Sequence, residues 1–313
     1  MYGSEDPRSK LKAGGAAGTA APYAEAARPL SFAAAEYVKF HELPPREDAS
    51  NARTWYARGQ NFVVAYTEAK AGAVLRRDDQ RDEYAVLIPD KDVAVTVSAG
   101  DETREISGHS LVIVPPGKSA VTVRSPGKIV RVFSTQSKDI NALASNAEAY
   151  EHAHPNIPAF QPWPDPPGGF KLRVYDLDVP PQPGRFGRLF RCTTLMINVL
   201  PLEPGPRDVT KLSPHHHDDF EQGSLALQGS FTHHIRWPWT ANMHDWRADD
   251  HEACPAPSLA VIPPPAIHTS AGSDPAMNQL VDIFSPPRVD FSKMPGWVLN
   301  ADEYPMPSAA GTP

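Results

Sequence analysis

Short runs of β-branched and aromatic residues recur along the chain, set apart by clusters of Gly, Pro, Asp and Asn. NFVVAYT (61–67), YAVLI (84–88), VAVTV (93–97), SLVIV (110–114), KIVRVF (128–133), LMINVL (195–200), SLALQG (224–229), SLAVI (258–262) and QLVDIF (279–284) are each about strand length. Sustained 3.6-residue periodicity is scarce. The best helical stretches are DINALASNAEAYEH (139–152) and the Ala-rich 20–28. Many short strands at fairly even spacing predict an all-β chain of antiparallel sandwiches or barrels.

The strand pattern repeats. Leu111-Val-Ile-Val-Pro-Pro-Gly117 resembles Leu259-Ala-Val-Ile-Pro-Pro-Pro265, and Val132-Phe133-Ser134 matches Ile283-Phe284-Ser285. Glu83 with its apolar strand matches Glu221 with SLAL, and the three matches are collinear. The second copy is longer over WPWTANMHDWRADDHEACPAP, 237–257. This predicts two copies of one β-domain, at 30–140 and 170–292. A flexible N-terminal arm (1–29) precedes them and a tail (293–313) follows. Between them, 141–169 holds the helical stretch and a Pro-rich, semi-rigid connector, NIPAFQPWPDPPGG.

Composition agrees with two domains, since 313 residues at about 100–200 per domain gives about two. The 35 prolines argue for a loop-rich β protein, because proline has no N–H to donate and breaks helix interiors. A net charge of -7 supplies no basic footprint for nucleic acid. No run approaches the roughly 20 apolar residues that span a bilayer. Cys192 and Cys254 are too few for a disulfide scaffold or a cysteine zinc site and read as two unrelated thiols in a reducing compartment. The Ala/Gly-rich stretch that follows the charged start lacks the Leu, Ile, Val and Phe of a secretory h-region, which predicts a cytoplasmic protein.

The chemistry concentrates in Pro214-His215-His216-His217-Asp218-Asp219-Phe220-Glu221. Alternation on a strand would aim His215 and His217 to one face and His216 to the other. Asp218-Asp219 is turn-like, so the next strand opens at Glu221, which would share a face with Gly223, Leu225 and Leu227. Beyond SLAVI and three prolines comes His268. Three imidazoles and a carboxylate suit Mn, Fe, Co, Ni, Cu or Zn. There is no GxGxxG after a strand, no GxxxxGK[ST] and no GxSxG elbow, so nucleotide-binding and serine-hydrolase sites are unsupported.

His215-x-His217-x3-Glu221, then Gly229, then Pro263-x-Pro265-x2-His268, resembles the two motifs of the cupin superfamily. The resemblance implies two antiparallel cupin barrels (double jelly rolls) in tandem, and a divalent metal held by His215, His217, Glu221 and His268. Ferrous iron is favoured, with Mn2+, Zn2+ and Ni2+ as alternatives. Seven residues separate Glu221 from Gly229 where six are usual, and Pro265 stands where a glycine is usual. Aligning the copies sets Arg77, Asp79 and Ala120 against His215, His217 and His268, so the first barrel is expected to hold no metal. An Arg77–acid grouping inside that barrel would be satisfied without a ligand.

Around the site, alternation in SFTHHIRWPW puts Phe231, His233 and Ile235 on one face and Thr232, His234 and Arg236 on the other. His233 and His234 are the candidate proton carriers. Arg236 is the candidate for a substrate carboxylate. Trp237 and Trp239, with Trp246, are candidates for an aromatic wall. The expected function is a non-haem iron dioxygenase on a small carboxylated, enolic or aromatic compound. The alternatives are a Lewis-acid isomerase, hydrolase or decarboxylase, and a metal-dependent small-molecule sensor. The expected partner is a small-molecule substrate, with neither nucleic acid nor membrane, and the resemblance implies a homodimer.

Overall fold

The computed structural model describes residues 32–307, so expectations for the arm and for 20–28 lie outside the described residues. Every strand run read from the sequence is a strand in the structure, and all the strand pairings are antiparallel. The helix expected over 139–152 is two short turns instead, Lys138–Asn141 and Ala147–Tyr150. Asn146 interrupts it. Its side chain accepts from Arg58 N at 2.9 Å and donates to Arg58 O at 2.9 Å, the local competition with helix that Asn offers.

Each half is a pair of facing sheets. In the N-terminal half a four-stranded sheet (Val74–Gln80, Ala94–Ala99, Glu102–Ser107, Gly117–Val123) faces a seven-stranded one centred on Tyr84–Ile88 and Gly127–Ser134. In the C-terminal half a three-stranded sheet (Ser230–Arg236, Asp250–Pro255, Ile267–Gly272) faces a seven-stranded one centred on Gln222–Gln228 and Met277–Phe284.

The two large sheets pack against one another. One hydrophobic cluster joins Phe62, Val64, Leu87 and Val132 of the first half to Leu225, Leu227, Val261 and Ile283 of the second. The opposite face of each large sheet lines its own barrel, and here the halves diverge. The N-terminal lumen is filled with Tyr84, Val86, Ile88, Val112, Val121 and Phe133. The C-terminal lumen carries buried Gln222, Ser224, His233, His268 and Asp282. A barrel packed with apolar side chains has no room for an ion, whereas buried polar groups need partners.

The halves also exchange edges. Glu36–Lys39 pairs with Ser258–Ile262 of the C-terminal half, and Arg173–Asp176 pairs with Ser110–Val114 of the N-terminal half. The division at 30–140 and 170–292 therefore does not follow the sheets at either boundary. The expected tail is partly structural too, since Trp297, Val298, Asn300 and Tyr304 are buried. Cys192 and Cys254 are buried free thiols, each pushed up to about 12 chiefly by burial. Among the described residues no helix is long and apolar enough to cross a membrane.

Candidate metal centre

His215 and His268 meet across a two-residue antiparallel bridge. His215 N donates to His268 O at 3.0 Å and His268 N donates to His215 O at 2.7 Å, which brings their rings to 4.4 Å. His217, two residues on, has its ring 5.5 Å from His215 and 4.8 Å from His268. One donor nitrogen from each lies within 4.8 Å of the others, with His217 and His268 buried and His215 half-buried. The alternation that set His215 and His217 together and His216 apart is realised, and His216 is exposed beside Asp218.

The tautomers follow from the partners. His215 Nδ1 lies 2.9 Å from Ser213 O and His268 Nδ1 lies 3.0 Å from Ala266 O. A carbonyl only accepts, so both Nδ1 atoms carry the proton and both Nε2 atoms carry the lone pair. His217 is reversed. Its Nε2 faces Gln222 Oε1 at 3.1 Å, and its Nδ1 is buried with no hydrogen-bond partner. Burial, helped by His268, Arg288 and His215, holds His217 well below the usual imidazole range. It is therefore the neutral form that a metal requires. A buried neutral imidazole whose ring lies 4.8 and 5.5 Å from two others, one nitrogen of each within 4.8 Å of the rest, fits a divalent ion of the imidazole-preferring class.

Glu221 is not part of this cluster. It does share a face with Gly223, Leu225 and Leu227, but that face is the seam between the halves. A Cβ on Gly223 would fall 2.8 Å from the Phe62 ring of the other half. Glu221 Oε2 accepts from Gln60 N at 2.6 Å and Oε1 accepts from the Tyr150 hydroxyl at 3.2 Å. Burial lifts its carboxyl to about 7, against the opposing pull of those hydrogen bonds and of Arg58. Glu83 does the same in reverse. It accepts from Thr193 N at 3.1 Å, Thr193 Oγ1 at 2.9 Å and the Tyr304 hydroxyl at 2.7 Å. The repeat thus pairs Glu83 with Glu221 correctly, as two carboxylates that each reach across the seam.

The lumen-facing position belongs to Gln222. Counted from Gln222, six residues precede Gly229, and the unusual gap of seven after Glu221 was the visible sign of this register. In the first half the matching neighbour is Tyr84, whose hydroxyl lies 3.0 Å from Ser119 Oγ. Arg77 pairs there with Asp139 at 2.6 Å rather than with Glu83, and Asp79 is exposed.

A cavity of about 270 Å³ opens beside the cluster. Its walls include His215, His268, Gln222 and Asp282, the polar residues Glu203, Arg207, Ser270 and Asn278, and the apolar Phe186, Leu200, Phe231 and Leu280. Arg207 is held in place by Ser270 O at 3.0 Å and Ser213 Oγ at 2.9 Å. Arg207 lies in the turn-rich PGPRDV segment, where no strand pattern marked it. Arg236 is elsewhere, with its side chain 72% exposed and paired to Asp249 at 3.0 Å. Trp237 is buried among Ile235, Ile262 and Ala266, and its Nε1 donates to Asp250 at 3.2 Å. Trp239 is 81% exposed and stacks on Trp246 at 5.0 Å. None of these side chains lines the cavity.

The two further histidines separate as alternation dictates. His233 is buried with Nδ1 2.8 Å from Ser270 Oγ, and burial, with His268 and His234, pushes it down to about 3. A group so displaced does not exchange protons near neutrality, so it acts as a fixed neutral partner of Ser270. His234 faces outward, its Nδ1 2.8 Å from His251 Nδ1, away from the cavity.

No protein-family model matches the sequence, and no curated protein matches it. Solved structures do match in fold. The formate complex of an oxalate decarboxylase from Lactobacillus farciminis covers 80% of this chain and 86% of its own, at 14% identity and a TM-score of 0.54. A single-residue variant of the Bacillus subtilis oxalate decarboxylase covers 79% and 76%, at 13% identity and 0.54. AerE from Microcystis aeruginosa covers 82% and 99%, at 10% identity and 0.50.

Proposed function

From a chain that has the two-barrel cupin fold, with three histidines converging inside its second barrel, we propose a metal-dependent enzyme acting on a small carboxylated compound through Lewis-acid catalysis. The observation that carries this reading is the donor cluster, three imidazole nitrogens within 4.8 Å of one another beside a cavity that contains a guanidinium. His215, His217 and His268 would hold the ion. When bound, a divalent ion on three neutral imidazoles supplies polarisation of a carboxylate or carbonyl oxygen and keeps positions for outside ligands.

The protein's own residues set what enters. A cavity of about 270 Å³ suits a substrate of a few heavy atoms. Arg207 takes the part that the sequence assigned to Arg236, setting a guanidinium charge in the cavity wall to attract an anion. Phe231, Leu280 and Phe186 exclude water from the remaining wall. With Glu221 outside the cluster, an all-nitrogen set suits iron, nickel or zinc ahead of manganese. The same donor count supports a second reading, a ferrous dioxygenase, since three protein donors leave room for substrate and one further small ligand.

The test is anaerobic purification, loading with Fe2+, Ni2+, Zn2+ or Mn2+ singly, elemental analysis, and turnover of a panel of small mono- and dicarboxylates with and without oxygen. One ion per chain, lost in His215→Ala, with turnover that needs no oxygen, is the expected result. In Arg207→Gln, KM rises at least about tenfold while metal content is unchanged. Equal metal in wild type and His215→Ala removes the proposal, and turnover that requires oxygen selects the dioxygenase.

A further inference from the structure

The second barrel is completed by a strand from the far end of the chain, and its two sheets meet where that strand lies. Glu36–Lys39 is the outermost strand of the seven-stranded sheet, and Asp250–Pro255 is the outermost strand of the three-stranded one. Among the described residues Glu36–Lys39 has a paired strand on one side only, Ser258–Ile262. Its other side is joined by side chains to the stretch 237–252. Arg247 donates to Ala33 O at 2.9 Å and to Phe32 O at 2.5 Å, with its guanidinium 4.8 Å from the centre of the Trp237 ring. Asp250 accepts from the Tyr37 hydroxyl at 2.9 Å and from Trp237 Nε1 at 3.2 Å. Lys39 pairs with Glu252 at 2.6 Å. These contacts follow in the same order along both segments, so they form one ladder. The first half has no such connection, since its matching strands Ala94–Ala99 and Glu102–Ser107 are joined by Gly100-Asp101 alone.

We propose that the connection 237–249, with Asp250 and Glu252, is a latch for the exchanged N-terminal strand, and that the line between Glu36–Lys39 and Asp250–Pro255 is where the second barrel opens first. The two ends of the strand are held differently. Just past its C-terminal end Phe40 is buried in the cluster between the halves, stacks on Tyr66 at 5.6 Å, and donates its N–H to Pro257 O at 3.1 Å. The N-terminal end has Arg247. Four residues at a sheet edge hold weakly by themselves. Release of the side-chain ladder therefore lets the strand swing away about Phe40 while the rest of the fold stays closed, a local opening of the kind that precedes global unfolding. It uncovers the wall of the lumen, because Tyr37 stacks toward buried His233 at 6.5 Å and packs with Ala35 on Ile235, Trp237, Ile262 and Ala266. The other exchanged strand is fastened by the same chemistry from a different source. Tyr175 and Arg173, again a tyrosine and a cation two residues apart, both bond Glu303 of the tail, at 2.6 and 3.1 Å.

Native-state hydrogen exchange of the full-length protein, read by mass spectrometry with a chelator present throughout, tests the latch apart from any metal. In the wild type the amides of Glu36–Lys39 are expected to exchange faster than those of Tyr84–Ile88 in the first half. Arg247→Met keeps a chain over Trp237 but loses both carbonyl contacts, and Asp250→Ala loses the acceptor of Tyr37 and Trp237. Each is expected to speed exchange in Glu36–Lys39 by at least about tenfold, the scale of a lost hydrogen bond to a charged group, and to leave Tyr84–Ile88 unchanged. The Lys39–Glu252 pair is more exposed, so Lys39→Glu is expected to give about two- to fivefold, and the reversed pair Lys39→Glu with Glu252→Lys to return toward wild type. Unchanged exchange of Glu36–Lys39 in both Arg247→Met and Asp250→Ala refutes the latch. Equal acceleration of Tyr84–Ile88 refutes it as well, since the contacts would then serve the whole fold. So does a wild type in which Glu36–Lys39 exchanges as slowly as Tyr84–Ile88, for the strand would then leave only when the molecule unfolds.

Discussion

Glu221→Gln makes a quantitative test of the seam between the halves. Burial lifts the Glu221 carboxyl from 4.5 to about 7, outweighing the hydrogen bonds from Gln60 and Tyr150. An acid whose folded-state pKa lies above its unfolded value binds more protons when folded. Its ionisation therefore costs nothing below the unfolded pKa, and stability is lost as pH rises toward the folded one. With those two values the loss attributable to Glu221 between about pH 5 and pH 8 is on the order of 2–3 kcal/mol. Glutamine keeps an acceptor for the Gln60 amide, lets the Tyr150 hydroxyl rotate to accept, and does not ionise. The assay is urea unfolding of both proteins in half-unit pH steps with a chelator present, so that metal linkage does not contribute. The stability of Glu221→Gln minus that of wild type should climb by a few kcal/mol, on the order of 2–3, across that range. A flat difference, or one that falls as pH rises, would mean that the hydrogen bonds outweigh desolvation and would refute the reasoning.

Two further outcomes follow from the same packing. A Cβ at Gly59 would stand 2.6 Å from the Phe62 ring and 2.8 Å from Glu221 Oε2, so Gly59→Ala should lower unfolding stability by about 1–3 kcal/mol, measured by urea titration. Trp239→Ala, at an exposed stack away from the cavity, should change stability by less than about 0.5 kcal/mol and leave metal uptake at the wild-type level in a chelator competition.

Strand identity was legible because the apolar runs were short, β-rich and bounded by turn residues. The repeat was legible because both large sheets present one face to the shared seam and so repeat the same apolar run. The histidine cluster was legible because alternation separates His216 from His215 and His217 and because the strand SLAVI fixes where His268 lands. The carboxylate was misread for a physical reason. Glu221, one residue ahead of the strand, and Gln222, its first residue, point to opposite faces, and in a sheet buried on both faces neighbouring apolar residues do not say which face is the lumen. Ala226, Leu225 and Leu227 are all buried, though only the leucines join the cluster between the halves. The gap to Gly229 held the information, and it outranked the identity of the side chain. Arg207 was missed because turns carry no periodicity, while Arg236 attracted notice through a strand pattern that, in the structure, sends it outward, and Trp239 through the longer stretch of the second copy, where it is exposed. The exchanged strands could not be read at all, since a single edge strand fits either sheet by composition.

That exchange constrains how the molecule comes into being. The strand that covers the edge of Ser258–Ile262 leaves the ribosome more than two hundred residues ahead of its partner, and Arg173–Asp176 emerges after every other strand of the sheet it completes. Neither half can finish its sheet from its own contiguous stretch of polypeptide. During synthesis Glu36–Lys39 must wait unpaired, and separate expression of either half would leave a naked sheet margin open to stray strands. The two barrels are thus laced into one cooperative folding unit, in which a lumen packed with hydrocarbon supports a neighbour whose lumen is spent on chemistry.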